Sequence, residues 1–222
     1  MGTGRDTIAE AAFGLFATRG YEETSVEDIA AAAGVSRSTF FRAYGSKEAV
    51  IFPDHDELLR RVEERLRSTT ADSALKAVTE AVKIVLFHYV AEGERARERY
   101  RLTSAVEALR DRELISGARY QRLFRSFLGG WGDGSEAAEL RAELTSAAVV
   151  AAHNHVLRRW LRGESDDPQA EVETALADVR ATFDPASRRE PVAVLVVPAG
   201  VSMSDAESAI RRALGGPSSL DG

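Results

Sequence analysis

The residues from Val35 to Lys47, VSRSTFFRAYGSK, bring Arg37, Arg42 and Lys47 together with the hydroxyls of Ser36, Ser38, Thr39 and Tyr44, and include no acidic side chain. A helix capped at Ser36 would gather its free amides and the positive end of its dipole beside Arg37 and the Thr39 hydroxyl, an arrangement that attracts phosphate. Helical spacing sets Arg37 and Ser38 on the leading, outward turn and Phe41 and Arg42 one turn later, while Phe40 turns toward neighbouring helices. An arginine so placed can fork onto guanine O6 and N7, and Phe41 can touch a thymine methyl or a sugar. The segment therefore carries the chemistry of contact with a polyanion. The alternative is a solvated helix that lacks acid by chance.

Other chemistries find little support. The chain has no cysteine, which excludes disulfides, thiolate metal sites and a Cys nucleophile and suits a reducing cytoplasm. Of the four histidines, His153 and His155 stand two apart, which on a helix directs them to nearly opposite faces instead of to one metal. There is no GxSxG elbow and no phosphate-binding glycine loop; GGWGDG at 129–134 reads as a helix–helix connection. With 35 acidic against 29 basic residues the formal charge is −6, so any contact with DNA must be local. Asp6 and Glu10 interrupt what an export signal would need as an apolar run, and no stretch approaches the ~18 residues of a membrane span. No catalytic residue, metal or cofactor is expected.

The elements that must position Val35–Lys47 read as helices. Ile8, Ala12, Leu15 and Phe16 recur at helical spacing from Thr7 to Arg19, with Gly20 placed as a C-cap. Thr24 or Ser25 caps a short second helix, answered by Glu27 or Asp28 as the capping-box acid, and Gly34 closes it. Arg37–Tyr44 follows, then a break at Gly45 and a new cap at Ser46. Helix, glycine turn and helix within about 20 residues is helix-turn-helix spacing. HDELLRRVEERLR resumes as a charged amphipathic helix. Longer helices are expected over 72–91, 94–110, 111–131, 135–162 and 168–183.

On this text, LFATRGYEETSVEDIAAAAGVSRSTFFRAYGSKEAVI, residues 7–52 resemble the DNA-binding domain of the TetR family of transcriptional repressors. The resemblance implies an all-α fold: a three-helix helix-turn-helix domain over 1–52 and a helical ligand-binding and dimerisation domain over 53–183. Carried across by position, it implies that Ser25, Thr39 and Lys47 hold phosphates and that Arg37, Ser38, Phe41 and Arg42 face bases or nearby backbone, with Ser36 at the helix start. The chain departs from the family pattern where a tyrosine often follows the position of Arg42: here Ala43 stands there and Tyr44 comes next.

The second region, with ERYRLTSAVEALRDRELISGARYQRLFRSFLGGW and AAVVAAHNHVLRRWL, resembles a branch of that family described as binding acyl-CoA-like ligands, including regulators of mycofactocin clusters. Phe87, Tyr100, Tyr120, Phe124, Phe127 and Trp160 fall at helical spacing and suit either an aromatic-lined cavity or ordinary core. Val172, Leu176, Val179 and Phe183 form one stripe in the last long helix, and Ala147 and Ala151 lie in the small-residue run before it. These faces are either core or half of a four-helix subunit interface. Residues 184–222 shift in composition. PVAVLVVP at 191–198 reads as a strand, expected to pair with its twin across a dimer, with a helix near 203–214 folding back through Ala206, Ile210 and Leu214.

The leading expectation is a dimeric repressor that binds a palindromic operator, is released by a small acyl-CoA-like effector, and works in the cytoplasm without a membrane partner. The alternative is a DNA-binding activator or partner-binding module of the same fold without small-molecule release. An enzyme lacks any matching constellation.

Overall fold

Three serine caps organise the first 52 residues. Ser25 accepts from Asp28 N while Asp28 answers the Ser25 backbone, a complete capping box that starts α2 (Val26–Ala32). Ser36 accepts from Thr39 N at the start of α3 (Arg37–Tyr44), and Ser46 from Ala49 N at the start of α4 (Lys47–Ile51). Each cap satisfies an amide with no partner inside its helix and is worth about 1 kcal/mol. Gly34 makes the α2–α3 turn at φ 66°, a left-handed backbone that a side chain would strain. Of the two candidate caps for α2 it is Ser25 that serves; Thr24 is buried and donates instead to Gly20 O at 2.7 Å.

The computed structural model describes residues 4–52, 55–69 and 74–184, and among them every regular element is a helix. Ahead of α2 lies α1 (Gly4–Arg19). After α4 come α5 (His55–Arg67), α6 (Ala74–Glu92), α7 (Glu94–Ala105), α8 (Glu107–Gly129), α9 (Glu136–Leu161) and α10 (Pro168–Phe183). The all-α expectation holds. The expected strand at 191–198 and the helix near 203–214 lie outside the described residues.

Two hydrophobic clusters hold these helices. The first joins Ile8, Ala12 and Phe16 of α1, Ile29 of α2, Phe40 of α3 and Val50 and Ile51 of α4. It also takes in Leu109 of α8, with Leu102 and Val106 packed against it, so the helix-turn-helix finishes its core on residues far along the chain. The second cluster spans α5, α6, α8, α9 and α10 through residues such as Leu58, Val62, Leu86, Phe124, Val149 and Leu176. Fully burying side chains of this size contributes roughly 1.5–3 kcal/mol each.

Between α7 and α8 a break is expected near residue 110, but the chain breaks at Val106, which is extended at φ −106°, ψ 117°. No glycine or proline marks the spot. Val106 leaves helical geometry where its side chain packs against the helix-turn-helix core, so tertiary packing sets this boundary.

Candidate nucleic-acid interface and adjoining cavity

The α3 helix divides its side chains as its spacing predicts. Phe40 is fully buried and meets the rings of Phe41 and Tyr44 at 5.6 and 6.1 Å, whereas Phe41 stays 40% exposed. Arg37, Ser38 and Arg42 are exposed on the outer side. At the helix start the hydroxyls of Ser36, Ser38 and Thr39 form a connected group, with Ser36 Oγ 2.9 Å from each of the other two. Hydroxyls, free amides and a positive dipole end thus share one exposed site suited to a phosphate.

The absence of acid in α3 is offset from outside it. Glu27 of α2 meets Arg37 Nε at 2.9 Å, and the Arg37 guanidinium also lies over the Phe41 ring at 5.3 Å. Both charged side chains are more than half exposed, so the pair is worth about 0–1 kcal/mol and can yield to a stronger anion. Arg42 has no such partner among the described residues.

The flanking candidates are committed to structure. Ser25 serves the α2 capping box, and its hydrogen bonds hold the Asp28 carboxyl below the ordinary carboxylate range. Tyr44 donates its hydroxyl to Arg5 O at 2.8 Å and lies under the Arg5 guanidinium, which ties α3 to α1. Lys47 Nζ donates to Tyr21 O at 2.8 Å and Thr24 O at 3.0 Å over the Tyr21 ring. It pins the α1–α2 turn and fixes a positive charge beside the start of α2.

A cavity of about 490 Å³ opens among α5 to α9. Val82, Val85, Val150, Leu157 and Leu161 supply apolar wall, and Tyr89, Tyr100 and Tyr120 supply rings. His55, Arg110, Glu113, Asn154 and Arg158 add polar groups. His153, also in the lining, is only 4% exposed, and its Nδ1 lies 3.1 Å from Asn154 Oδ1. Burial pushes its imidazole down from 6.5 to about 4, with Asn154 opposing and Arg158 reinforcing that shift. Burial likewise raises the Tyr89 and Tyr120 hydroxyls, so both stay protonated.

Of the aromatics proposed for a ligand site, Tyr100 and Tyr120 line this cavity. Phe87 lies 40% exposed, while Phe124, Phe127 and Trp160 belong to the second hydrophobic cluster outside the lining. Sequence reasoning missed the polar members, because single histidines, serines and arginines on separate helices carry no periodic signal. His155, two residues from buried His153, is exposed, and no group able to hold a metal occurs among the described residues.

The stripe proposed for a subunit interface is turned inward. Val172 and Leu176 are fully buried and Val179 nearly so, within a cluster that includes α6 and α9 residues, and Phe183 packs at its margin. A stripe at helical spacing signals burial without saying against which surface, and here the surface is intramolecular. On α9, Ala151 is exposed and Ala147 half-buried, beside Leu140 and Leu144 at 57% and 51% exposure.

The profile of the bacterial regulatory proteins of the tetR family matches residues 8–61. Over 160 residues the chain is 27% identical to MftR of Mycobacterium tuberculosis, named as a mycofactocin biosynthesis transcriptional regulator; the match covers 71% of this chain and 80% of the relative. A transcriptional regulator of Aquifex aeolicus VF5 superposes with a TM-score of 0.56 at 19% identity, covering 82% of this chain and all of the other. Thermus thermophilus FadR, solved with lauroyl-CoA, gives 0.51 at 22% identity, covering 87% of this chain and all of the other. These superpositions establish a shared fold.

Proposed function

We propose that this chain, which belongs to the TetR family of bacterial regulatory proteins, is a cytoplasmic, ligand-responsive repressor that binds a palindromic operator as a homodimer. The observation that supports it most is the double use of the α7–α8 joint. One side of the joint, Leu102, Val106 and Leu109, completes the helix-turn-helix core, while the other, Tyr100, Thr103, Ser104 and Arg110, lines the cavity. A ligand that reshapes the cavity wall therefore acts on the seat of the DNA-binding helices. Release requires only that the effector bind the non-operator conformation more tightly.

In this reading Arg37, Ser38, Phe41 and Arg42 face the major groove. Ser36, Thr39, Ser25, Tyr44 and Lys47 hold or frame the phosphates, and Lys47 acts through the N–H left after its two carbonyl bonds. The cavity volume lies within the ~300–1,000 Å³ of small-molecule sites. Its apolar wall suits an acyl-CoA-like effector, and the lauroyl-CoA bound by the FadR relative of this fold agrees with that class.

The dimer is assigned to exposed faces instead of the buried α10 stripe. Leu140, Leu144, Ala147 and Ala151 run along one side of α9, and Ala170, Thr174, Ala177 and Ala181 along the exposed side of α10. Small residues at steps of four and three let helices approach closely, and two such pairs build a four-helix interface.

Selection from random duplexes tests the whole reading. An operator with inverted half-sites about one turn apart, roughly 34–36 Å, is expected, and lauroyl-CoA should release the protein from it. Failure to enrich any symmetric sequence would overturn DNA recognition by this mode; enrichment without release by any acyl-CoA would overturn the effector class.

A further inference from the structure

We infer that Arg110 and Arg158 make the mouth of the cavity an anion-binding point, and that the effector is an amphiphile whose apolar body enters the cavity while its negatively charged group meets these guanidiniums. This deepens the effector reading and rests on the cavity being the effector site. Both arginines line the cavity and both are exposed, so they stand where it opens to solvent. The Arg110 guanidinium is fixed there. One of its terminal nitrogens donates to Ser104 O at 2.6 Å, and Ser104 also belongs to the exposed part of the lining. Arg158 comes from α9, and its charge reaches the cavity: burial holds the imidazole of the lining His153 down, and the Arg158 charge reinforces that shift. Among the described residues neither guanidinium has an ion pair.

The charge balance of the lining selects the sign of the ligand. Glu113 is its acidic member, and the carboxylate acts on Tyr89 and on the buried Arg99, so the interior already supplies its counter-charge. Two rim cations against one acid leave a positive mouth, which attracts an anion and repels a cationic ligand. The uncharged polar groups do not discriminate in this way. Thr103 donates to Tyr100 O and Asn154 Oδ1 meets His153 Nδ1, and the remaining hydroxyls and amides serve a neutral head as readily as a charged one. Only the guanidiniums read charge, and their planar forks suit carboxylate and phosphate alike. The apolar body then lies against Val82 and Val85 of α6 and Leu157 and Leu161 of α9.

Arg110 also ties the charged head to regulation. Ser104 O belongs to the last turn of α7, whose final carbonyls lack partners inside the helix, and Arg110 caps it across the break at Val106. An anion is a stronger acceptor than a neutral carbonyl, so a bound head draws Arg110 from that cap. Leu102, Val106 and Leu109 of the same joint pack on the helix-turn-helix core, which places the loosened turn beside the DNA-binding region.

The test uses full-length protein and three probes that share one chain, decanoate, decyl phosphate and 1-decanol, with binding followed by calorimetry. Wild type is expected to bind both anions about tenfold tighter than the alcohol, the effect of a charge-assisted hydrogen bond. Arg110→Gln and Arg158→Gln should each reduce that preference and the double variant abolish it, with unchanged 1-decanol binding reporting an intact cavity. Arg110→Lys, which keeps the charge, should retain part of it. Tighter binding of decyl phosphate than of decanoate identifies a phosphate-bearing head and the reverse a free carboxylate; both support the anionic class. Gly117→Leu should weaken all three probes, because Gly117 lines the cavity and a Cβ built there meets nothing within 4 Å, so the added side chain extends into open space. Equal wild-type affinities, or a preference that survives the double variant, with Gly117→Leu still weakening every probe, would overturn the role of the arginines while leaving the cavity as effector site. Binding indifferent to Gly117→Leu, or no binding of any probe, would overturn both.

Discussion

The Arg99 side chain donates through Nε to the backbone carbonyl of Ile51 and through both terminal nitrogens to Glu92, at 2.6 and 2.8 Å. Ile51 ends α4 in the helix-turn-helix region, Glu92 ends α6, and Arg99 lies on α7. The guanidinium also stacks 5.3 Å from the Tyr89 ring, which lines the cavity. Arg99 is only 5% exposed, so this charge is kept in the interior by geometry that few other side chains match. A chain of contacts therefore runs from the cavity wall to the end of α4 in the helix-turn-helix region, and the fork makes it one discrete arrangement.

Removing one member of that pair should be severe. Arg99→Met leaves the half-buried Glu92 carboxylate without its counter-charge and the Ile51 carbonyl without its donor, and is expected to cost about 3 kcal/mol in urea denaturation. Arg99→Met combined with Glu92→Leu should recover much of that loss and still bind operator, but with effector-induced release weakened, because the contact to Ile51 O is gone. Full release in the double variant, measured by fluorescence anisotropy, would show that coupling runs through other contacts.

On α3, Arg42→Ala and Arg37→Ala are each expected to weaken operator binding by about 1–3 kcal/mol with little effect on scrambled DNA. Glu27→Ala should act oppositely, freeing Arg37 from its 2.9 Å ion pair and removing a negative charge near the phosphates. Lys47→Ala should weaken both duplexes alike and reduce the salt slope by about one. It should also lower the melting temperature, since its bonds to Tyr21 O and Thr24 O are lost.

What the sequence disclosed follows from which interactions are local. Ser25, Ser36 and Ser46 cap through residues three positions on, so each cap was readable, and the inward turn of Phe40 followed from spacing alone. The break at Val106 was not, because it depends on a core built from residues 8 to 52. The same holds for Arg99 and Ile51, 48 residues apart with no shared motif. The α10 stripe was visible as a stripe, yet only packing reveals that α6 and α9 already cover it. Tyr100 and Tyr120 were found among the cavity residues because aromatics attract notice; His153 was set aside as an isolated histidine.

The inward stripe separates two substitutions. Leu176→Arg places a charge in a fully buried site and is expected to unfold the chain. Leu144→Arg lies on the 51% exposed face of α9 and should leave helicity intact while shifting sedimentation from dimer to monomer and reducing operator affinity. A Leu144→Arg protein that remains fully dimeric would move the interface off this face.

Finally, His153 should make stability depend on pH in a window where few other groups titrate. Burial lowers its folded value from 6.5 to about 4, so between those limits the unfolded chain takes up a proton that the folded chain refuses. Its contribution is complete above pH 6.5 and is lost as pH falls toward 4, for a total of about 3 kcal/mol. Carboxylates such as Glu92, held below its ordinary value by Arg99 despite opposing burial, add their own loss only below about pH 4.5. His153→Leu removes the histidine contribution alone. Burial also lowers the His88 imidazole, which adds its own loss below pH 6.5. Urea midpoints measured from pH 7 to pH 5 should therefore fall in wild type and fall less steeply in His153→Leu, and parallel curves would mean that His153 protonates in the folded protein as readily as in the unfolded chain.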